Sequence, residues 1–331
     1  MASTVNAAFE EFLRDSVRLD PNTTKTARAS RDNLIDNIIA FSGDSDFFNV
    51  YDSMNLLFGS FARRTKIRPL DDIDLMICLS ATSEDQRRSY FEMSGCVFIN
   101  GVGFDAKNSL LTSTGHLNST KVINRLINKL SSLSDYSKAE MHKNKEAATL
   151  QLRSYPWNFD IVPCFYTDTG FYLIPDGYGN WKKTDPRIDN DRITSVNQKH
   201  KGKLLDVIRL MKYWNNLRVT LRMDSYLLEC MILSVYEGKS PQDNYWVDLE
   251  FRDLLNALSS KIYNDVPDPK GYQGNLNTFS STDRLKIALA LKGAYLKAKE
   301  AADLELTGKD QKAAIQKWGE VFGSAFPKYT E

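Results

Sequence analysis

The sequence has few of the features that are typical of secreted proteins, membrane proteins or proteins that bind long nucleic acids. It has four cysteines and three histidines in 331 residues, and its formal net charge is +1. This near balance lacks the excess of Lys and Arg that a dedicated binder of long nucleic acid carries. No window is long and apolar enough to span a bilayer, and no N-terminal apolar segment resembles a signal peptide. We therefore predict a cytoplasmic protein with no membrane segment and no strong polynucleotide binding.

The few cysteines and histidines form no pattern that predicts a metal site or a nucleophile. The cysteines lie far apart and mostly inside apolar runs, at Cys78, Cys96, Cys164 and Cys230. Their spacing matches neither a disulfide framework nor the ligand pairs of a zinc site, so we expect reduced thiols in the core. No catalytic role is assigned to the histidines, which are His116, His142 and His200.

The spacing of apolar residues changes along the chain, which predicts a sheet followed by helices. Before Trp181, apolar and polar residues alternate in short runs, as in strands. Beyond it, apolar residues recur at helical spacing, and a chain with 42% hydrophobic residues is long enough to form a sizeable core. We predict an α/β (α+β) fold with a mixed sheet in domain 1–190 and helices in domain 191–331. The active site is expected in the cleft between them.

Two helices are predicted before the first strand. Residues from Ala7 to Leu19 form an amphipathic pattern. Asp20-Pro21 then supplies an N-cap and a favoured first-turn proline for a longer helix, which is expected to end near Ser42-Gly43. Much later, the apolar residues from Tyr172 to Pro175 predict an edge strand.

The stretch from Phe58 to Leu79 contains the first candidate site residues. An apolar run breaks at Gly59-Ser60, where a strand turns into a helix, so backbone N–H groups and a hydroxyl can face an anion. Asp72 and Asp74 open the next strand, and side chains two apart on a strand share a face. Two carboxylates this close repel each other unless a cation lies between them. The spacing therefore predicts a magnesium site.

A third carboxylate is needed to support this prediction, because a D-x-D pair alone is common on solvated turns. Asp160 lies inside the apolar strand from Phe159 to Phe165, which returns from a turn at Tyr155-Pro156-Trp157. A buried carboxylate needs a partner. Asp160 beside Asp72 and Asp74 would give three oxygen-donor residues around two metal ions.

Two cations in the helical half form a second candidate site. From Lys199 to Arg222 there are seven Lys or Arg residues against one acid, which is usually the mark of a solvated helix face. Arg209 and Lys212, however, are three residues apart, so they share a face inside an apolar stretch. We therefore predict that this pair binds a triphosphate.

Taken together, these motifs resemble the cGAS/DncV-like nucleotidyltransferases (CD-NTases), relatives of animal cyclic GMP-AMP synthase and oligoadenylate synthetase. The matching blocks are GSFARRTKIRPLDDIDL, NFDIVPCF, VIRLMKYWNN, SYLLE and KWGEVFGSAFP. They run from Gly59 to Pro327 in the family's order and so cover nearly the whole chain. The resemblance implies a DNA polymerase beta-like core with an N-terminal spine helix along both lobes, followed by a helical domain of the OAS/cGAS type.

The resemblance also implies roles for single residues. The predicted catalytic and metal-binding residues are Asp72, Asp74 and Asp160, and the predicted nucleotide-binding residues are Gly59, Ser60, Arg209, Lys212, Ser225 and Tyr226. In the family, the matches of Lys212 and Ser225 hold the donor triphosphate, while a tyrosine like Tyr226 stacks on a nucleobase. The alternative for Tyr226 is a core aromatic. The implied cofactor is a pair of Mg²⁺ ions, with Mn²⁺ as a substitute.

From this resemblance we expect a monomeric enzyme that joins ribonucleoside triphosphates, ATP and GTP among them, into a cyclic di- or trinucleotide. A separate effector would sense the product in CBASS-type antiphage defence. Because metals and fixed cations handle the developing charge, no His or Cys nucleophile is required. Two alternatives stay open: a nucleotidyltransferase that acts on an RNA end, a protein or a small molecule, and a non-catalytic nucleotide-binding module.

Overall fold

The computed structural model describes residues 2–44, 46–81, 90–101, 109–219, 221–242 and 244–331. The chain forms two compact units. The sheet unit consists of Pro21–Arg63 and Leu70–Arg187, and the helical unit consists of Met1–Asp20, Arg64–Pro69 and Ile188–Glu331. The chain thus leaves the sheet unit close to the predicted domain boundary, but the helical unit also includes two earlier segments.

The described residues of the sheet unit form a sheet of nine strands. They are β1 (Leu56–Leu57), β2 (Asp72–Cys78), β3 (Tyr90–Met93), β4 (Cys96–Ile99), β5 (Glu140–Asn144), β6 (Ala147–Gln151), β7 (Asn158–Tyr166), β8 (Tyr172–Pro175) and β9 (Trp181–Thr184). Along one path their order is β1-β2-β7-β8-β9-β4-β3, and β6 joins β5 to β7 beside this path. Among these strands, β2 and β7 pair in parallel and the other pairs are antiparallel. The predicted mixed sheet is confirmed.

Strand β7 lies at the centre of the sheet, which explains its nearly continuous apolar sequence. Its residues Phe159, Ile161 and Cys164 are fully buried, as expected for a strand that is covered on both faces. The predicted hairpin that returns into β7 is confirmed by the antiparallel β6–β7 pair. The predicted edge position of β8 is wrong, because β8 pairs with β7 on one side and with β9 on the other.

In the described part of the sheet unit, the α-helices are α2 (Pro21–Ile39), α3 (Gly59–Ala62) and α4 (Ser119–Ser131). The long predicted helix, α2, begins at the expected proline and ends at Ile39, a few residues before the expected Ser42-Gly43. The sequence of α4 contains two features that favour a helix. Asn118 caps it by accepting a hydrogen bond from the N–H of Lys121, and its apolar side chains are buried on one face.

The helical unit begins with α1 (Val5–Phe12), which continues as a π-helical turn (Leu13–Val17). The later helices are α5 (Pro186–Lys199), α6 (Leu204–Asn216), α7 (Ser225–Gly238), α8 (Val247–Lys261), α9 (Ser281–Leu306) and α10 (Gln311–Phe322). The first helix was predicted to be regular through Leu19, and α5 was not predicted, because few apolar residues mark its buried face. No helix among the described residues is long and apolar enough to cross a membrane.

An aromatic cluster joins the first and last helices of the helical unit. Phe9 meets Trp318 edge-on at 4.9 Å between ring centroids, and Phe12 meets Tyr213 in the same way at 4.9 Å. Such pairs stabilise a core by about 0.5–1.5 kcal/mol beyond the area they bury. This packing explains why residues before Asp20 belong to the helical unit rather than to the sheet unit.

Candidate active site

The three predicted carboxylates lie on two neighbouring strands of the sheet unit. The parallel register of β2 and β7 sets Asp74 opposite Asp160. Residues paired in this way project to the same face, and their Cα atoms lie about 4.8 Å apart. Asp72, two residues before Asp74, faces the same way. The backbone therefore brings Asp72, Asp74 and Asp160 together as one carboxylate patch.

The opposite face of these strands is buried, and this burial determines the face of the sheet on which the three carboxylates lie. Ile73 is 1% exposed and Phe159 is fully buried. A slip of one residue would turn every side chain to the other face. It would bury the carboxylates and expose Ile73 and Phe159, and burying unpaired charge is very unfavourable. Core packing therefore holds the carboxylate patch on its own side of the sheet.

Asp160 is held by a hydrogen bond from the neighbouring strand. Thr149 on β6 pairs with Asp160, and its Oγ1 donates to Asp160 Oδ1 at 2.5 Å. A hydroxyl that donates to a charged carboxylate at this distance makes a strong bond. Thr149 was not predicted as part of the site, because no local sequence pattern relates a residue on β6 to a carboxylate on β7.

Gly59 brings the backbone against the carboxylate patch. A Cβ atom added to Gly59 would lie 1.7 Å from Asp74 Oδ2, and its φ of +72° lies in the left-handed region. Glycine is required on both counts. Helix α3 begins here with Gly59 and Ser60, and Phe58 before it offers no side-chain cap. The predicted strand-to-helix turn at this position is confirmed.

The donor chemistry of the carboxylate patch fits the predicted Mg²⁺, which prefers oxygen ligands. Asn158, opposite Asp72 in the register, adds a buried Oδ1 that has no hydrogen-bond partner in the described part of the chain. Such an atom is costly unless a ligand or water satisfies it. Within the described ranges, no group of three or more His, Cys, Asp or Glu side chains is already gathered into a metal-binding cluster. Metal binding by the patch therefore stays a prediction.

Lys212 lies on α6 of the helical unit and is buried against a carboxylate. Its Nζ donates to Glu229 Oε1 on α7 at 2.7 Å, and the Lys212 and Glu229 side chains are 8% and 4% exposed. Thr65 Oγ1 donates to the same oxygen at 2.7 Å. Glu229 was not predicted, although a single acid in the apolar run of α7 was a signal that a cation must face it.

We expect Lys212→Met to lower the free energy of unfolding by about 3–5 kcal/mol, because it leaves Glu229 buried without its cation. The double variant Lys212→Met, Glu229→Gln should recover most of this loss. Urea unfolding measures both. The control is Lys286→Met, whose exposed ion pair with Asp283 contributes about 0–1 kcal/mol. Equal stability of Lys212→Met and Lys286→Met would contradict the buried pair.

Arg209 lies in a second ion-pair cluster of the helical unit. Its Nη1 donates to Asp206 Oδ1 at 2.6 Å and its Nη2 to the backbone carbonyl of Arg64. Burial opposes the charge on Asp206, but the hydrogen bonds and charges of Arg18 and Arg209 outweigh it and lower the pKa of Asp206. Arg209 and Lys212 thus each have their own carboxylate, and triphosphate binding by them stays a prediction.

Ser225 is the exposed first residue of α7, and its neighbour caps the helix. Asp224 Oδ1 accepts hydrogen bonds from the N–H groups of Tyr226 at 2.8 Å and Leu227 at 3.2 Å. Negative charge at this position already complements the helix dipole. A phosphate at Ser225 would therefore meet the carboxylate of Asp224, a residue that the N-cap preference for Asp could have identified.

Tyr226 is held in a buried ionic cluster by its hydroxyl. The hydroxyl oxygen lies 2.8 Å from Asp189 Oδ1 and 3.0 Å from Asp268 Oδ1. Lys270 Nζ donates to the same oxygen and lies 4.1 Å from the ring centroid. Burial, together with the nearby negative charges, raises the pKa of Tyr226 far above its ordinary value. The phenol therefore stays protonated, and its proton is donated to one carboxylate at a time.

Replacing the hydroxyl separates the two roles considered for Tyr226. We expect Tyr226→Phe to lower the free energy of unfolding by about 1–3 kcal/mol, because buried carboxylates lose a donor. Nucleoside affinity should be nearly unchanged if the ring stacks on a base, and it should be lost in Tyr226→Ala. Calorimetric titration with a nucleoside measures this. Unchanged nucleoside binding in Tyr226→Ala would leave Tyr226 as a core aromatic.

The comparison of sequences identifies one relative that aligns end to end. The chain is 41% identical over 341 residues to the "Probable cyclic nucleotide synthase" of Bacillus cereus, with 100% of both chains covered. It is 22% identical over 345 residues to the cyclic AMP-AMP-AMP synthase of Escherichia coli, with 95% of both covered. No protein-family model matches the chain.

Solved structures show the same fold over nearly the whole chain. Escherichia coli CdnC with ATP has a TM-score of 0.67 at 18% identity, covering 97% of this chain and 98% of that one. Apo DncV of Vibrio cholerae has a TM-score of 0.68 at 12% identity, covering 98% of this chain and 97% of that one. Because a relative that is 41% identical end to end bears the name "Probable cyclic nucleotide synthase" and the solved CdnC and DncV have the same fold, the chain belongs to the cGAS/DncV-like nucleotidyltransferases (CD-NTases) and is an enzyme of that family.

Proposed function

We propose that this enzyme joins ribonucleoside triphosphates into a cyclic di- or trinucleotide, with the carboxylate patch as its reaction centre. The observation that carries the proposal is the parallel register that sets Asp74 opposite Asp160, with Asp72 on the same face. A structure of the related DncV holds the linear intermediate pppA(3′,5′)pG, and a second relative is a cyclic AMP-AMP-AMP synthase. Both relatives support a cyclic oligonucleotide as the product.

The reaction at this site would be in-line phosphoryl transfer. The acceptor hydroxyl oxygen forms a bond to the donor α-phosphorus, the bond to pyrophosphate breaks, and the hydroxyl proton passes to solvent. Two Mg²⁺ ions, or Mn²⁺ in their place, would neutralise the phosphate charge and lower the pKa of the acceptor hydroxyl when bound. Asp72 and Asp74 would hold the ion on the donor side, and Asp160 would hold the ion on the acceptor side. The same transfer repeated on the linear product closes the ring, at the second transfer for a dinucleotide and at the third for a trinucleotide, with one pyrophosphate released each time.

The residues beside the patch would position the donor. Gly59 has no side chain, so the phosphates can approach the backbone N–H groups at the start of α3. Ser60 would donate its hydroxyl to the terminal phosphates. The hydrogen bond from Thr149 fixes one oxygen of Asp160, so that the other oxygen can serve as a ligand. With these roles assigned, the reaction requires no His or Cys nucleophile.

The helical unit would supply the remaining nucleotide contacts. Lys212, Ser225 and Arg209 would bind the triphosphate, and the half-buried ring of Tyr226 would stack on a base. Because Lys212 is paired with Glu229, binding of a triphosphate would have to share or exchange that partner. Lys212→Ala should then weaken all triphosphates about equally and leave nucleoside affinity unchanged, since the contact does not involve the base. Calorimetry with a non-hydrolysable triphosphate and its nucleoside measures both affinities.

The product assay tests the function as a whole. The enzyme is incubated with all four ribonucleoside triphosphates and Mg²⁺ and then treated with phosphatase, and the surviving products are identified by mass spectrometry. A cyclic product lacks a terminal phosphate and should persist. Linear products that carry a removable phosphate, or transfer to an added RNA or protein, would instead support the other acceptors. We further propose that the enzyme acts as a cytoplasmic monomer in CBASS-type defence, where a separate effector binds the product.

A further inference from the structure

A pocket of 460 Å³ opens in the helical unit beside the end of α10. It lies between one face of that helix, from Lys312 to Gly319, and the segment that follows. Its volume is in the range of small-molecule binding sites. None of the residues assigned above to the reaction or to nucleotide binding lines it. It therefore needs an explanation of its own.

The segment that follows α10, from Gly323 to Tyr329, forms one wall of the pocket and is held in place by its own contacts. Phe326 is 4% exposed and stacks on Phe322 with 5.6 Å between ring centroids. Further along, the N–H of Thr330 donates to the carbonyl of Ala2 at 3.1 Å. These contacts hold both ends of the wall. A ligand would therefore bind a preformed pocket and lose little free energy in ordering it.

A glycine inside α10 keeps the pocket open. Glycine in a helix interior is about 1 kcal/mol less favourable than alanine, so Gly319 calls for a reason. Packing does not supply one, because a Cβ added to Gly319 would meet no heavy atom within 4 Å, and its φ is not in the left-handed region. Gly319 does line the pocket, and a side chain there would occupy the empty volume.

The lining combines an apolar floor with unbalanced positive charge. Pro327 and the partly exposed Tyr329 offer apolar surface above the buried Phe326, while Lys312 and Lys328 are the charged residues at the pocket. No acidic side chain lines it, and neither lysine has an ion pair with a carboxylate in the described part of the chain. We propose that this pocket binds a small molecule with a planar apolar body and one anionic group, a carboxylate or a phosphate.

Calorimetric titration of the full chain with three matched probes tests this proposal. The probes are 1-naphthoate, 1-naphthyl phosphate and the neutral 1-naphthalenemethanol. We expect one anion to bind with 1:1 stoichiometry at least about tenfold more tightly than the neutral probe, which corresponds to one charge-assisted contact. The tighter of the two anions identifies the anionic group. No binding of either anion, or equal binding of the neutral probe, would overturn the proposal.

Variants assign any binding to this pocket. Gly319→Leu fills the volume and should weaken the bound anion at least about tenfold, whereas Gly293→Leu should not. Gly293 is the matched control, because it also lies inside a helix, would have no heavy atom within 4 Å of an added Cβ, and does not line the pocket. Both variants should melt at or above the parent temperature, since leucine favours the helix.

Removing the charge provides the second test. The double variant Lys312→Gln, Lys328→Gln should weaken the anion at least about tenfold and leave the neutral probe unchanged, because both lysines are exposed and their loss affects charge more than packing. Undiminished anion affinity in this variant or in Gly319→Leu would place the binding elsewhere and reject the pocket. Cyclic nucleotide synthesis without the probe should be retained in all these variants, so a failure here is distinct from a failure of the proposed function.

Discussion

Asp74→Asn should reduce nucleotide incorporation by about 10³-fold, because Asp74 is proposed to be a charged metal ligand. Its loss would remove several kcal/mol of transition-state stabilisation, and each 1.36 kcal/mol is tenfold in rate. The substitution removes charge but little volume. Asp74 is only partly buried and Ile73 still packs into the core, so the fold should be intact. Rates from labelled ribonucleoside triphosphates in Mg²⁺ measure the effect, and Asp72→Asn and Asp160→Asn should be similar.

The matched control for this prediction is Asp71→Asn. Asp71 is adjacent to Asp72 in sequence, is exposed and precedes β2. The same chemical change there should alter the rate by less than about threefold, which corresponds to a change in activation free energy near RT. Calorimetric titration with a non-hydrolysable triphosphate should still detect binding in Asp160→Asn, since that residue is proposed to act on the acceptor side. If the double variant Asp72→Asn, Asp74→Asn still incorporates nucleotides, the carboxylate patch is not the reaction centre.

Gly59→Ala should lose most of the activity, although it changes no charge. The new Cβ would lie 1.7 Å from Asp74 Oδ2, far inside van der Waals contact, so either the carboxylate or the turn must move. A misplacement of about 1 Å in a catalytic group can cost about 10²-fold in rate. The same rate assay measures this, and a crystal structure of the variant should show Asp74 displaced.

The left-handed backbone at Gly59 has its own cost, and Gly95→Ala isolates it. Gly95 has φ of +79° and no heavy atom within 4 Å of an added Cβ, so alanine there should lose only about 1–2 kcal/mol of stability through backbone strain. We expect Gly59→Ala and Gly95→Ala to be destabilised, and Gly59→Ala alone to lose activity. A fully active Gly59→Ala would show that the turn does not need to approach Asp74.

The sequence predicted elements well wherever apolar periodicity was strong. The β6–β7 hairpin follows from the apolar strand that returns from the turn at Tyr155-Pro156-Trp157, and α2 follows from the Asp20-Pro21 start. Both elements are present. Helix α5 was missed because its mean hydropathy is low, so its buried residues form no visible stripe. The interior position of β8 could not be predicted from its local sequence either. An edge strand and a central strand of four residues differ in the strands that pair with them rather than in their own sequence.

The candidate site could be predicted as a set of acids but not as a geometry. Spacing alone puts Asp72 and Asp74 on one face, whereas the pairing of Asp74 with Asp160 joins residues far apart in the chain and depends on strand register. The sequence likewise did not identify the carboxylates that pair with Arg209 and Lys212. A lysine inside the apolar stretch of α6 and a glutamate inside the apolar run of α7 predict a buried pair in principle, but nothing in the sequence says that Lys212 and Glu229 meet.

The assembly of the helical unit from three chain segments has a consequence for biosynthesis. Phe9 and Phe12 are made before α10, yet their ring partners Trp318 and Phe322 lie on that helix. The N–H of Val5 likewise donates to Gln311, 306 residues later. At about 5–20 residues per second on the ribosome, α1 waits for tens of seconds before its core exists. The sheet unit can complete its strands by Thr184 in the meantime. The strands that hold the carboxylate patch are thus complete before the first helix can pack, and a nascent chain halted ahead of α10 leaves the apolar face of α1 exposed to chaperones and to aggregation.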